Sequence, residues 1–273
     1  MIKKIFAKII YRYFQIIFTF IAKNSNEESL LLTKIINFLN ISIGKGFSGP
    51  ETLHVEIKSL LNFFSPEDRL ILIDAGAHRG KYSEIFKNLF PLSKVYCFEP
   101  SKINFEHLEN KFINDETVEI KNLGLSDKNT SAELFFDTKG SSMSSVYNRK
   151  LDHFNINFDN KELIELVDLD SFWKKNNKNI NIDILKLDIE GNELLALNGC
   201  GSLINTIKII QFEFGGCNID SKTYFQDFWY FFEANNFSIY RVTPHKLIKL
   251  TNYKEEDEYF KTTVFIAANN SLI

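Results

Sequence analysis

The sequence predicts an α/β protein with a doubly wound, mostly parallel sheet, and three observations predict it. Short apolar runs alternate with helical patterns from residue 52 onward, as βαβ units require. The runs LILID (70–74), KVYCF (94–98), IDILKL (182–187) and IKIIQFEF (207–214) are near-continuous rather than alternating, the pattern of strands buried on both faces. An acid stands at or just after the end of each: Asp74, Glu99, Asp188 and Glu213. Ligands of such sheets bind outside the carboxyl ends of the strands, at the point where the strand order reverses.

The elements follow in order. Leu30–Leu39 carries a helical pattern and leads into a Gly-rich turn at Gly44, Gly46 and Gly49–Pro50. Thr52–Phe64 reads as a helix stopped at Ser65–Pro66. Leu70–Asp74 is the first strand, Gly76–Gly80 a tight turn and Tyr82–Phe90 a helix. Lys94–Phe98, the helix Phe105–Phe112 and the strand Val118–Asn122 complete the first half. A less regular stretch holds strands at Ala132–Phe136 and Leu163–Val167, a Ser-rich loop at Gly140–Ser145 and a short helix at Leu169–Lys175. Ile182–Leu187 and Ile207–Phe214 are the fourth and fifth strands of the sheet, with a helix at Asn192–Leu197 between them. The aromatic run Tyr224–Asn235 has helical spacing and reads as core. Phe237–Val242, Leu247–Leu250 and Thr262–Ala267 close the chain as strands without intervening helices, an antiparallel edge. The domain boundary is set at 50/51, with a helical extension before it.

Composition narrows the function. The chain has 273 residues, 44% of them hydrophobic and 25% charged, enough for a sizeable core. A net charge of −3 speaks against a general nucleic-acid binder. Cys97, Cys200 and Cys217 form no CxxC pair, which excludes a zinc ribbon and a disulfide scaffold and suits a cytoplasmic protein. Residues 1–23 are apolar and basic, but the charge-free run Tyr13–Ala22 is only ten residues long against the ~20 that span a bilayer. Two readings fit this segment: a helix packed on the body of the domain, or a basic helix lying on a membrane surface.

The first strand end, Asp74-Ala75-Gly76-Ala77-His78-Arg79-Gly80, fails the GxGxxG pattern of a dinucleotide site. An acid at its start repels a pyrophosphate and favours a cationic or hydroxyl-rich ligand. Glu99, 23 residues after Gly76, stands where a carboxylate accepts hydrogen bonds from ribose hydroxyls. A nucleoside without a diphosphate and with positive charge meets both conditions, and S-adenosylmethionine (SAM) is such a ligand. Plain turn glycines and a surface acid are the alternative reading.

IDAGAHRGKYS (73–83), VYCFEPSKINFEHLENKF (95–112), NLGLSD (122–127), VDLDSF (167–172), ILKLDIEGNE (184–193) and IIQFEF (209–214) together resemble the FkbM-type methyltransferases. The resemblance covers roughly residues 52–267 and implies a seven-stranded, Rossmann-like, SAM-dependent fold. By it, Asp74, Gly76 and Gly80 line the methionine part of SAM and Glu99 holds the ribose. Ser126 and Asp127 would lie near the adenine, or form only a polar turn. Asp188 and Glu190 would stand where the methyl group emerges, facing Glu213, as base or acceptor-orienting groups. The same three carboxylates are the donors Mg²⁺ would use; capping of the following helix by Glu190 and Glu193 is the other reading. His78 departs from the family's usual Asn, and reads as a base or, by preference, as a turn residue satisfied by backbone. Ser141–Ser145 and Arg149 form either a cover over the acceptor or a flexible loop. The implied activity is O-methylation of a sugar hydroxyl in a glycan or glycan precursor. An N- or carboxyl-methyltransferase and a catalytically silent binding module in a polysaccharide assembly complex remain the alternatives.

Overall fold

A computed structural model describes residues 2–24, 30–176 and 180–273; the side chains of residues 1–7, 22 and 24–30, Lys3 and Lys4 among them, lie outside the described set. The chain forms two compact units, residues 1–43 and 44–273. The division falls seven residues before the expected boundary because residues 44–50 bond within the larger unit. The Gly46 N–H donates to Thr263 Oγ1 at 2.9 Å and Ser48 Oγ to Glu213 Oε1 at 2.6 Å. The smaller unit contains helices α1 (Ile2–Asn24) and α2 (Leu30–Ser42). Among the described residues, no helix is long and apolar enough to cross a membrane.

The larger unit opens with α3 (Leu53–Ser59) and a 3₁₀ turn at Leu60–Asn62. Then come β1 (Ile71–Ala75), α4 (Lys81–Leu89), β2 (Lys94–Phe98), α5 (Lys102–Phe112) and β3 (Val118–Lys121). The irregular stretch holds β4 (Gly124–Leu125), β5 (Thr130–Phe136) and β6 (Asn160–Val167). After it run α6 (Leu169–Asn176), β7 (Ile184–Leu187), α7 (Glu193–Asn198), β8 (Ile209–Phe214), α8 (Cys217–Ser221) and α9 (Phe225–Ala234). The chain ends in β9 (Phe237–Val242), β10 (Leu247–Lys249) and β11 (Thr263–Asn269).

The main sheet has the order β10-β9-β11-β8-β7-β1-β2-β3, so eight strands rather than the seven expected. The eighth is β10, a three-residue edge strand hairpinned onto β9. A polar turn closes that hairpin: Thr243 Oγ1 accepts the N–H groups of His245 and Lys246 at 3.2 and 3.1 Å. Strands β3, β2, β1, β7 and β8 are mutually parallel; β11 and β9 are antiparallel, as expected of the C-terminal edge. The strand order reverses between β1 and β7, which opens a crevice past their carboxyl ends. The irregular stretch builds a separate sheet, β4-β6-β5, in which β5 and β6 are antiparallel.

Alternation within the strands explains their continuous apolar runs. Ile73, Tyr96, Phe98, Leu185, Leu187 and Phe212 point to one face, under α6, α7 and α9. Leu72, Val95, Cys97, Ile184 and Ile209 point to the other, under α3 and α4. With both faces covered, the positions inside these strands are buried on either side. Phe225, Phe228 and Phe232 of α9 are fully buried, with Phe228 stacked 5.2 Å from Phe212. The aromatic run is core.

Candidate functional site

A cleft of two chambers opens at the strand-order reversal. One chamber, about 550 Å³ with its open mouth, is walled by Glu99, Asn104, Leu125 and Asn192 and by the small sheet's Leu134, Ile164 and Leu166. The other, about 1050 Å³ with its mouth, is walled by Ser48, Tyr82, Lys186, Glu213 and Thr262. Gly76, His78, Ser142, Asp188 and Glu190 line both chambers and form the neck between them.

The neck depends on close approach of two strand ends. Gly76 has φ +76°, and a Cβ there would lie 1.9 Å from the Asp188 carbonyl oxygen. Only glycine lets the β1 turn reach the β7 turn. His78 and Glu190 are held at φ +49° and +52°, in the left-handed region that side chains avoid. Strain of this kind persists where surrounding bonds enforce it. The His78 N–H donates to Glu99 Oε2 at 2.7 Å, and its Nε2 meets the Gly140 carbonyl oxygen at 2.9 Å. His78 is thus the backbone-satisfied turn residue, and burial lowers its pKa. Glu190 is fixed by Ser145 Oγ, which donates to its carbonyl oxygen at 2.7 Å, and by Arg149, whose guanidinium lies 2.5 Å from Oε2. Arg149 also reaches Asp220 at 3.3 Å, so this segment is tethered and not a loose loop.

Lys186 is the residue the sequence reading missed. Its Nζ lies 3.1 Å from Asp74 Oδ1 and 3.3 Å from Asp188 Oδ2, and donates to the Gly76 carbonyl oxygen at 3.3 Å. Burial works against its charge, but Asp74 and Asp188 outweigh that and raise its pKa above the usual lysine value. A lysine inside the apolar run IDILKL is the signal that marks it.

Four expected cofactor residues are not brought to the cleft. Asp74 is fully buried beneath it, accepting the Ser83 hydroxyl at 2.6 Å and pairing with Lys186. Gly80 (φ +72°) packs on α5; a Cβ there would meet Phe112 at 2.5 Å and Leu108 at 2.8 Å. Ser126 is buried, its N–H bonded to the Val167 carbonyl oxygen at 2.9 Å, and Asp127 is exposed. Leu125, one residue earlier, lines the chamber instead. Gly76 and Glu99 do line it. Glu99 accepts the N–H groups of His78 and Ser101, the latter at 3.0 Å, and burial pushes its pKa up to about 7. Asn104 Oδ1, buried beside it, has no hydrogen-bond partner among the described residues.

The three carboxylates expected at the reaction centre lie along the cleft, each with its own partner: Asp188 with Lys186, Glu190 with Arg149, Glu213 with Ser48. Among the described residues no three His, Cys, Asp or Glu side chains converge on a point that would hold a metal ion. The Mg²⁺ expectation therefore does not fit, because each candidate donor is drawn toward a separate partner. Glu193 folds the turn itself, accepting the Ile189 N–H at 2.9 Å and the Gly191 N–H at 3.0 Å.

Buried carboxyl groups give this unit an unusual pH response. Burial pushes Glu56, Glu99 and Glu193 up to about 7 and Glu190 up to about 8, against an ordinary 4.5. Across that window the folded chain holds protons that the unfolded chain has lost, so raising the pH favours unfolding. The urea midpoint should therefore fall between about pH 5.5 and pH 8, and a midpoint that rises instead would contradict these shifts.

The comparisons with known proteins can be set beside this geometry. The model of the methyltransferase FkbM domain family matches residues 74–239, more than half of the chain. No curated protein matches. Among solved structures, a methyltransferase FkbM from Methylobacillus flagellatus KT is similar at 17% identity and TM-score 0.44, over 74% of this chain and 44% of that one. The precorrin-6y C5,15-methyltransferase of Geobacter metallireducens GS-15 is similar at 10% identity and TM-score 0.44, over 81% and 88% of the two chains. A SAM-dependent O-methyltransferase of Thermotoga maritima is similar at 12% identity and TM-score 0.43, over 81% and 66%. The chain thus spans less than half of the Methylobacillus protein.

Proposed function

The chain belongs to the FkbM methyltransferase domain family, and from that premise we propose that it transfers the methyl group of SAM to a hydroxyl of a sugar in a glycan or glycan precursor. The observation that carries this reading is the pair of chambers meeting at one neck. The first chamber suits a nucleoside: Glu99 offers acceptor oxygens for ribose hydroxyls, and Asn104 Oδ1 is a buried acceptor awaiting a donor. Leu134, Ile164 and Leu166 supply an apolar wall for a flat base.

The second chamber favours a neutral polyol. Carboxyl oxygens accept hydrogen bonds, so Asp188, Glu190 and Glu213 along its wall suit a ligand rich in O–H donors. SAM supplies a sulfonium methyl, which asks for in-line approach of a nucleophile. In this reading the chamber walls would orient the hydroxyl and Asp188, 35% exposed at the neck, would take its proton, the O–C bond forming as the methyl's S–C bond breaks and the sulfonium leaves as a neutral thioether.

Calorimetric titration with SAM tests the first half. Saturable binding is expected, weakened about 10- to 100-fold in Glu99→Ala, the scale of a hydrogen bond to a charged group. Absence of binding would remove the reading. Transfer of tritiated methyl to polysaccharide tests the second half: the label should be an alkali-stable ether, and an alkali-labile ester or a methylated amine would reassign the acceptor.

A further inference from the structure

We propose that helix α1 is a docking element for an anionic membrane surface, lying in the plane of the lipid headgroups. The helix has 23 residues, about 35 Å of length at the α-helical rise. Its sequence holds five cations (Lys3, Lys4, Lys8, Arg12 and Lys23) and no acid. The whole chain carries a net charge of −3, so the remainder is acidic and α1 is the part that a negative surface attracts.

The described polar positions fall in one narrow strip. Lys8 and Arg12 are four residues apart, Gln15 follows after three, and Thr19 and Lys23 follow at intervals of four. That spacing keeps all five on one side of a helix. The remaining sides carry Ile9, Ile10, Tyr13, Phe14, Ile16 and Ile17, of which Ile9 is 61%, Tyr13 66% and Ile16 71% exposed. A wide apolar face bordered by a cationic strip matches a bilayer surface, where isoleucine and aromatic side chains enter the acyl boundary and the cations stay among the phosphates. The strip also interrupts any run long enough to span, so α1 lies on the surface and does not cross it.

Co-sedimentation of the full chain with vesicles tests the proposal. Pelleting is expected with equimolar phosphatidylcholine and phosphatidylglycerol, little with phosphatidylcholine alone, and release on raising the salt. The double variant Lys8→Gln, Arg12→Gln should bind about 30-fold more weakly, at the usual contribution of two surface cations, with an unchanged urea midpoint. Failure to pellet, or pelleting indifferent to lipid charge, would overturn it. So would sedimentation equilibrium showing dimers that a Phe14→Glu, Ile16→Glu variant dissolves, since α1 would then face a second copy of the chain.

Discussion

Lys186→Met should destabilise the fold by about 3–5 kcal/mol, the range for removing one partner of a buried ion pair. Asp74 and Lys186 are register partners on adjacent parallel strands, β1 and β7, deep in the sheet. Asp74 is fully buried, and its other bond is to the Ser83 hydroxyl. Methionine fills the lysine stem's volume, so the loss reports the uncompensated carboxylate rather than a cavity. The double variant Lys186→Met, Asp74→Asn removes that charge and should recover most of the stability. Urea denaturation of the two variants measures both. A single variant within about 1 kcal/mol of the parent would show that water or local movement compensates Asp74.

Much of this fold was legible because parallel strands buried on both faces leave an unmistakable trace. IDILKL and IKIIQFEF are apolar since α3 and α4 cover one side and α6, α7 and α9 the other. What the sequence hid were features set by tertiary proximity. Asp74 reads as a ligand-facing strand end, yet it turns inward to Lys186, a pairing visible only once β1 and β7 lie side by side. Gly80 reads as a cofactor turn, yet the Phe112 and Leu108 side chains on α5 are what exclude a Cβ there. Ser48 and Arg149 lie 165 and 41 residues from the carboxylates they hold, Glu213 and Glu190, and local pattern cannot pair them. The separate three-stranded sheet was legible in part: strands were expected at Ala132–Phe136 and Leu163–Val167, within β5 and β6, but β4 has only two residues, too few to carry any periodicity.

Asp188→Asn should lower methyl transfer about 100- to 10,000-fold, the range for losing a positioned general base, while SAM affinity changes little. Of the three candidate carboxylates it is the best placed to move a proton. Glu190 is clamped by Arg149 and Ser145, and burial pushes its carboxyl up to about 8. Glu213 accepts the Ser48 hydroxyl, and burial, with Asp188 and Glu56 nearby, holds its pKa well above the usual range. Burial disfavours the ionised form at both places, so each is better suited to orient a hydroxyl than to accept its proton. Asp188 lies at the neck against a single cation, Lys186, 3.3 Å away. Asparagine preserves the shape and can still accept from that ammonium, so a loss in the variant reads the proton and not the packing. Single-turnover transfer at saturating SAM, with calorimetric affinity measured alongside, separates the two effects. A variant that binds less SAM yet transfers at the parental rate once saturated would move Asp188 from proton acceptor to cofactor contact.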